Sequence, residues 1–187
     1  VTLGKHGPFR KALLHPHFGG TFQFANFMGY SKHGGEGMKV SYNLGTEGLI
    51  AKLSIDHWGK GIQRVPILPA FHPYFTIPFD GFWASMDHSC IAKAIPKSSN
   101  YWNVSAQAKV IERTGDVAVE LGGSCRIALD LPDDCTHIVI WSDEPSSYVC
   151  VEPIFGKPGT FAKPGGRWIN PGEQIECNVR LDFEVGK

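Results

Sequence analysis

Apolar and polar residues alternate with a period of two in short segments bounded by glycine and proline, which leaves this chain few folds besides β-sheet. The alternation runs through Thr21–Phe27, Met38–Leu44, Leu49–Ile55, Lys109–Glu112 and Val117–Leu121, the pattern of strands with one wet face. Gln174–Val185 alternates again through Ile175, Cys177, Val179, Leu181, Phe183 and Val185, after an Asn170-Pro171-Gly172 turn signal, and reads as a closing strand or a pair of them. Near-continuous apolar runs at Val65–Ala70, His137–Trp141 and Tyr148–Ile154 are expected to be central strands covered on both faces. No segment keeps an apolar stripe at helical spacing for the ~11 residues of an average helix. Asp80–Gln107 mixes Pro, Ser, Asn and aromatic residues without a period and reads as long loops, while Gly34–Gly37 and Gly122-Gly123 read as hairpin turns. The expected fold is all-β, a large antiparallel β-sandwich, with residues 1–187 as a single domain.

Composition removes several classes of function. Lysine plus arginine and aspartate plus glutamate each total 18, so the net charge is zero and there is no basic field for nucleic acid or an anionic bilayer. No apolar run reaches the ~18 residues of a membrane span, and Val1–Arg10 lacks the apolar stretch of a secretory signal. Five cysteines without a CxxC pair argue for reduced thiols and a soluble, cytoplasmic protein.

Three clusters carry residues able to do chemistry. In Pro69-Ala70-Phe71-His72-Pro73-Tyr74-Phe75, a proline stops an apolar strand beside a histidine. That imidazole either projects into a cleft as a general acid or caps a strand end. In Tyr148-Val149-Cys150-Val151-Glu152-Pro153, a lone carboxylate interrupts an apolar run. Desolvation there would raise its pKa toward that of a useful base, whereas on an edge strand it would simply face solvent. In His6-Gly7-Pro8-Phe9-Arg10, a planar guanidinium stands near a histidine.

In order and approximate separation, these clusters resemble the aldose 1-epimerase and hexose-6-phosphate mutarotase families. HPYF at His72–Phe75 is similar to the family's acid-bearing motif, VCVEP at Val149–Pro153 to the segment with its catalytic glutamate, and HGPFR at His6–Arg10 to its HGxxR signature. Ile140-Trp141-Ser142-Asp143 and Asn170-Pro171-Gly172-Glu173 are similar to further family features, so the resemblance spans nearly the whole chain. It implies the galactose mutarotase-like supersandwich and interconversion of α and β anomers of a hexose or hexose 6-phosphate, without cofactor or metal. Glu152 would take the proton of the C1 hydroxyl while His72 protonates the ring oxygen, and His6 and Arg10 would bind substrate oxygens. Trp141 or Phe155 would either stack on a sugar or belong to the core. The family's substrate-site aspartate has no secure counterpart, with Asp116 and Asp130 as options. Family members carry strands before HGxxR, so the chain is expected to be a shortened member, a fragment or one with a reduced first sheet. Oligomeric state is open.

Two other readings compete. One is a non-catalytic carbohydrate-binding module on the same fold. The other is a cupin-like metal enzyme, suggested by His15-Pro16-His17, where two histidines on one strand face could bind a metal. Pro16 speaks against a central strand, so Leu14–Gly20 reads as a turn.

Overall fold

A computed structural model describes residues 15–17, 26–30, 36–45, 48–58, 63–77, 81–94, 108–122, 125–144 and 147–185. Every regular element among them is a strand. In chain order these are β1 (His15–His17), β2 (Asn26–Tyr30), β3 (Glu36–Leu44), β4 (Gly48–His57), β5 (Val65–Ile67), β6 (Tyr74–Thr76), β7 (Phe82–Met86) and β8 (Ser89–Ala94). They continue as β9 (Lys109–Glu112), β10 (Val117–Leu121), β11 (Cys125–Asp130), β12 (His137–Trp141), β13 (Tyr148–Ile154), β14 (Arg167–Ile169) and β15 (Gln174–Val185). All the described pairings are antiparallel.

The chain divides into two compact units. Val1–Ile67 and Phe161–Asn178 make the first, where β1, β2, β3 and β4 form an antiparallel ladder. The first residues of β15 lie beside β4, and Lys52 Nζ meets Glu176 Oε1 at 2.6 Å. β5 and β14 pair separately.

Leu68–Thr160 and Val179–Lys187 make the second unit, which is itself a sandwich. One layer has the order β6-β13-β12-β9; the other runs from the later residues of β15 through β11, β10 and β7 to β8. Phe75, Ile138, Ile140, Val149 and Val151 are buried on the inner face of the first layer, and Phe82, Ala84, Val117, Val119, Ile127 and Leu129 are buried in the second. Phe75 and Phe82 meet with ring centroids 6.4 Å apart. Alternate residues of each strand thus close a dry interior.

Several expectations need correction. Val65–Ala70 is not a central strand: only Val65–Ile67 is extended in a ladder, and it pairs with β14, because Pro66 and Pro69 lack the N–H groups a central strand requires. Asp80–Gln107 is not all loop, since β7 and β8 form a hairpin there; residues 95–107 lie outside the described residues. Its two turn residues, Asp87 and His88, both have positive φ (47° and 65°), as a tight hairpin turn of matching twist requires. That turn is more often made by Asn-Gly, so the composition concealed it. Asp87 Oδ1 accepts a hydrogen bond from the Asp116 backbone N–H at 3.0 Å, helping to hold the turn.

His15–His17 is a strand rather than a turn, and it is the end strand of its ladder, where proline is tolerated. In the Gly34–Gly37 segment Gly37 belongs to β3, and Gly34 and Gly35 lie outside the described residues. His137–Trp141 and Tyr148–Ile154 are inner strands, but only one of their faces is fully closed. Of the two readings of Gln174–Val185, the single closing strand holds.

Candidate active site

β13 alternates between two environments. Val149, Val151 and Pro153 point into the dry interior, so Tyr148, Cys150 and Glu152 share the other face. On the neighbouring strands, Tyr74 is opposite Cys150, Thr76 opposite Tyr148, Trp141 opposite Cys150 and Val139 opposite Glu152. Opposed residues share a face, so one side of this layer gathers Tyr74, Trp141, Tyr148, Cys150 and Glu152.

His72 joins them through register. Ala70 bridges to Ile154 and Tyr74 pairs with Cys150, which puts His72 opposite Glu152 by count. The backbone N–H of Phe71 donates to Pro153 O at 3.1 Å and that of Phe155 to Pro69 O at 2.9 Å, fastening the segment just before His72. Pro73 has no N–H and leaves the ladder open beside the histidine. His72 Nε2 consequently lies 3.1 Å from Glu152 Oε1, with the two side chains 35% and 15% exposed. The imidazole stacks on Tyr74 (4.9 Å, 20°) and meets the edge of Trp141 (5.9 Å, 80°). Tyr148 stands 5.1 Å from Tyr74 and 6.2 Å from Trp141 between centroids. An acid–base pair is thus set among aromatic rings, and Tyr74 is 61% exposed.

Burial pushes the Glu152 carboxyl from its ordinary 4.5 up to about 7. Near neutral pH it therefore exchanges a proton readily and is a far stronger base than a solvated carboxylate. Burial, followed by the neighbouring Glu152 and Asp143 charges, raises the Cys150 thiol to about 12. The Tyr148 hydroxyl donates to Asp143 Oδ1, and chiefly because of that bond the phenol is raised to about 12. Asp143 sits in the connection from β12 to β13, where buried Ser142 accepts the Glu144 N–H at 3.0 Å.

The structure brings His72 and Glu152 together, while His6 and Arg10 lie outside the described residues. Trp141 flanks the pair; Phe155 is buried against Phe71 and belongs to the core. Of the two aspartates considered, Asp116 is bound to the Asp87 turn and Asp130 is exposed at the end of β11, opposite Arg180. Sequence reasoning assigned no role to Tyr74, Asp143, Tyr148 or Cys150. The i, i+2 spacing of Tyr148, Cys150 and Glu152 on an extended strand was the available signal. For a metal, the donor atoms of His72, Cys150 and Glu152 lie within 4.8 Å of one another. The side chains of His15 and His17 lie outside the described residues.

The fold is all-β, and an imidazole–carboxylate pair stands on one open sheet face of its second unit. Solved structures share its fold. A galactose mutarotase-like protein from Lactobacillus casei superposes with a TM-score of 0.73 at 14% identity, covering 97% of this chain and 76% of its own. A galactose mutarotase related enzyme from Lactobacillus acidophilus gives 0.69 at 17%, covering 98% and 75%. A galactose mutarotase-like protein from Clostridium acetobutylicum gives 0.63 at 15%, covering 100% and 72%. The chain has the galactose mutarotase-like sandwich fold, in agreement with the resemblance of its motifs. No family model and no curated protein matches it.

Proposed function

We propose that this protein is a mutarotase, an aldose 1-epimerase acting on a hexose or hexose 6-phosphate. The observation that carries the reading is the 3.1 Å contact of His72 with Glu152 on an open, aromatic-lined sheet face. The C1 hydroxyl and the ring oxygen of a pyranose are bonded to the same carbon, so an adjacent base and acid suit them. Glu152 takes the hydroxyl proton as His72 protonates the ring oxygen, and the ring opens to the aldehyde. Rotation about C1–C2 and reclosure with the two roles exchanged give the other anomer. The pair needs one proton between its members, held by the imidazole at the start of each ring opening.

Trp141 and Tyr74 offer ring faces to the apolar side of the sugar. On the HGPFR resemblance, His6 and Arg10 bind substrate oxygens. No helix among the described residues is long and apolar enough to cross a membrane. None of the five cysteines is joined in a disulfide, which fits the proposed cytoplasmic setting.

Anomer exchange followed by NMR at the sugar C1 proton tests the reading, with glucose, galactose and glucose 6-phosphate. Exchange above the spontaneous rate is expected, reduced about 10²–10⁴-fold by His72→Asn and by Glu152→Gln. It should also fall as the pH drops through about 7, where Glu152 gains its proton. Folded protein that binds these sugars without exchanging anomers would instead be a carbohydrate-binding module.

A further inference from the structure

Cys150 is a metal-type donor at this centre that acid–base chemistry leaves unused. It shares a strand face with Glu152 two residues away, and His72 stands opposite Glu152 in register. Their nitrogen, sulfur and oxygen donors lie within 4.8 Å of one another, with His72 Nε2 already 3.1 Å from Glu152 Oε1. A tetrahedral ion with bonds of 2.0–2.3 Å holds its ligand atoms about 3.3–3.8 Å apart, so small side-chain shifts would close the set. Three protein donors leave the fourth position for water or another ligand.

We propose that His72, Cys150 and Glu152 form a binding site for a borderline divalent transition metal such as Zn²⁺, and that its occupation blocks the acid–base pair. The donor types select the ion. Thiolate and imidazole favour Zn²⁺ and Co²⁺, whereas Mg²⁺ and Ca²⁺ require more oxygen ligands than this centre offers. The step balances with two protons lost: the thiol S–H bond breaks, the one proton shared by His72 and Glu152 also leaves, both go to solvent, and the sulfur lone pair forms its bond to the ion without any change of oxidation state. The ion also takes the imidazole lone pair and the carboxylate oxygen, so neither group is left to move a proton. The inhibitory half of the inference rests on the mutarotase reading; the binding half does not.

Cobalt is the probe. The full chain, kept reduced with a phosphine and free of a histidine tag, is titrated with Co²⁺. The expected result is one equivalent bound, with a thiolate-to-cobalt charge-transfer band in the near ultraviolet and tetrahedral bands in the visible. Cys150→Ser should abolish the charge-transfer band and weaken binding by roughly tenfold or more. His72→Asn keeps the thiol and should weaken binding while retaining sulfur-to-cobalt absorption, so it serves where the cysteine variant fails to fold. Folded wild-type protein without the charge-transfer band overturns the proposal, as does an equal band in folded Cys150→Ser or undiminished affinity in folded His72→Asn. Stoichiometric Zn²⁺ should then suppress anomer exchange in the wild type and much less in Cys150→Ser; equal suppression overturns the inhibitory half. Absence of exchange in metal-free wild type would count against the mutarotase reading alone, because the cobalt spectrum still reports the site.

Discussion

The two faces of the β6-β13-β12-β9 layer use the same strands for opposite purposes. On the inner face, Val149, Val151, Ile138 and Ile140 are excluded from water and carry no polar side chain. On the outer face, one residue along in each case, Glu152 and Tyr148 are partly exposed, and Glu152 is held in contact with His72. Inner residues stabilise by leaving water, at roughly 25 cal/mol per Å² of apolar surface. Glu152 does the reverse: its raised pKa means that holding the charged carboxylate there costs stability. The alternation of a single strand therefore separates what holds the layer together from what gathers the proposed acid and base.

Truncation on the inner face should have the largest effect on stability. Ile138→Ala is expected to lower the unfolding free energy by about 2–5 kcal/mol, read from the denaturant midpoint, because fully buried Ile138 leaves a cavity. A loss below about 1 kcal/mol would mean that this face is less tightly packed than the contrast requires.

Glu152→Gln should act in the other direction. Between pH 4.5 and about 7 the unfolded chain has released the Glu152 proton while the folded chain keeps it, so this group makes stability fall as pH rises. The accumulated penalty above pH 7 is at most about 3 kcal/mol, and the glutamine variant should escape it. Urea melts of both proteins at pH 4.5 and pH 8 check the sign. A variant less stable than the wild type at pH 8 would show the carboxylate to be stabilising there.

The smallest effect is expected on the solvent side of the other layer. Arg126 and Glu184 are directly opposite in the β11–β15 ladder, with Arg126 Nη1 2.9 Å from Glu184 Oε1, and both side chains are more than a third exposed. Arg126→Ala should cost less than about 1 kcal/mol in the same melts and lose that difference in high salt. A larger, salt-independent cost would show that this outer face contributes packing as well as charge.

Strands with strict alternation were largely legible in the chain: β9, β10 and β15 have the expected bounds, whereas the expected Thr21–Phe27 coincides with β2 only at Asn26–Phe27, residues 21–25 lying outside the described residues. Short strands held by neighbours were not. β6 and β14 have three residues each, and β11 lies between turn signals in a segment whose alternation is weak. The β7–β8 hairpin turns on Asp87 and His88, whose left-handed backbone conformations no local preference announces. His72 and Glu152 were legible as candidates because a histidine before proline and a carboxylate in an apolar run both conflict with simple strand packing. Cys150 was not, since a cysteine between valines reads as core.

The sequence by itself determined the all-β class and the alternation that gives β13 a dry side, and it singled out His72 and Glu152 as candidates, because all three follow from local chemistry and a period of two. Tertiary structure alone decided that residues 72 and 152, 80 positions apart, stand opposite one another. Pairing register is a long-range property: the two-residue period tells each strand which face to bury, but the partner residue is chosen by how whole strands align. The same register brings Cys150 beside that pair and turns three separated side chains into one centre.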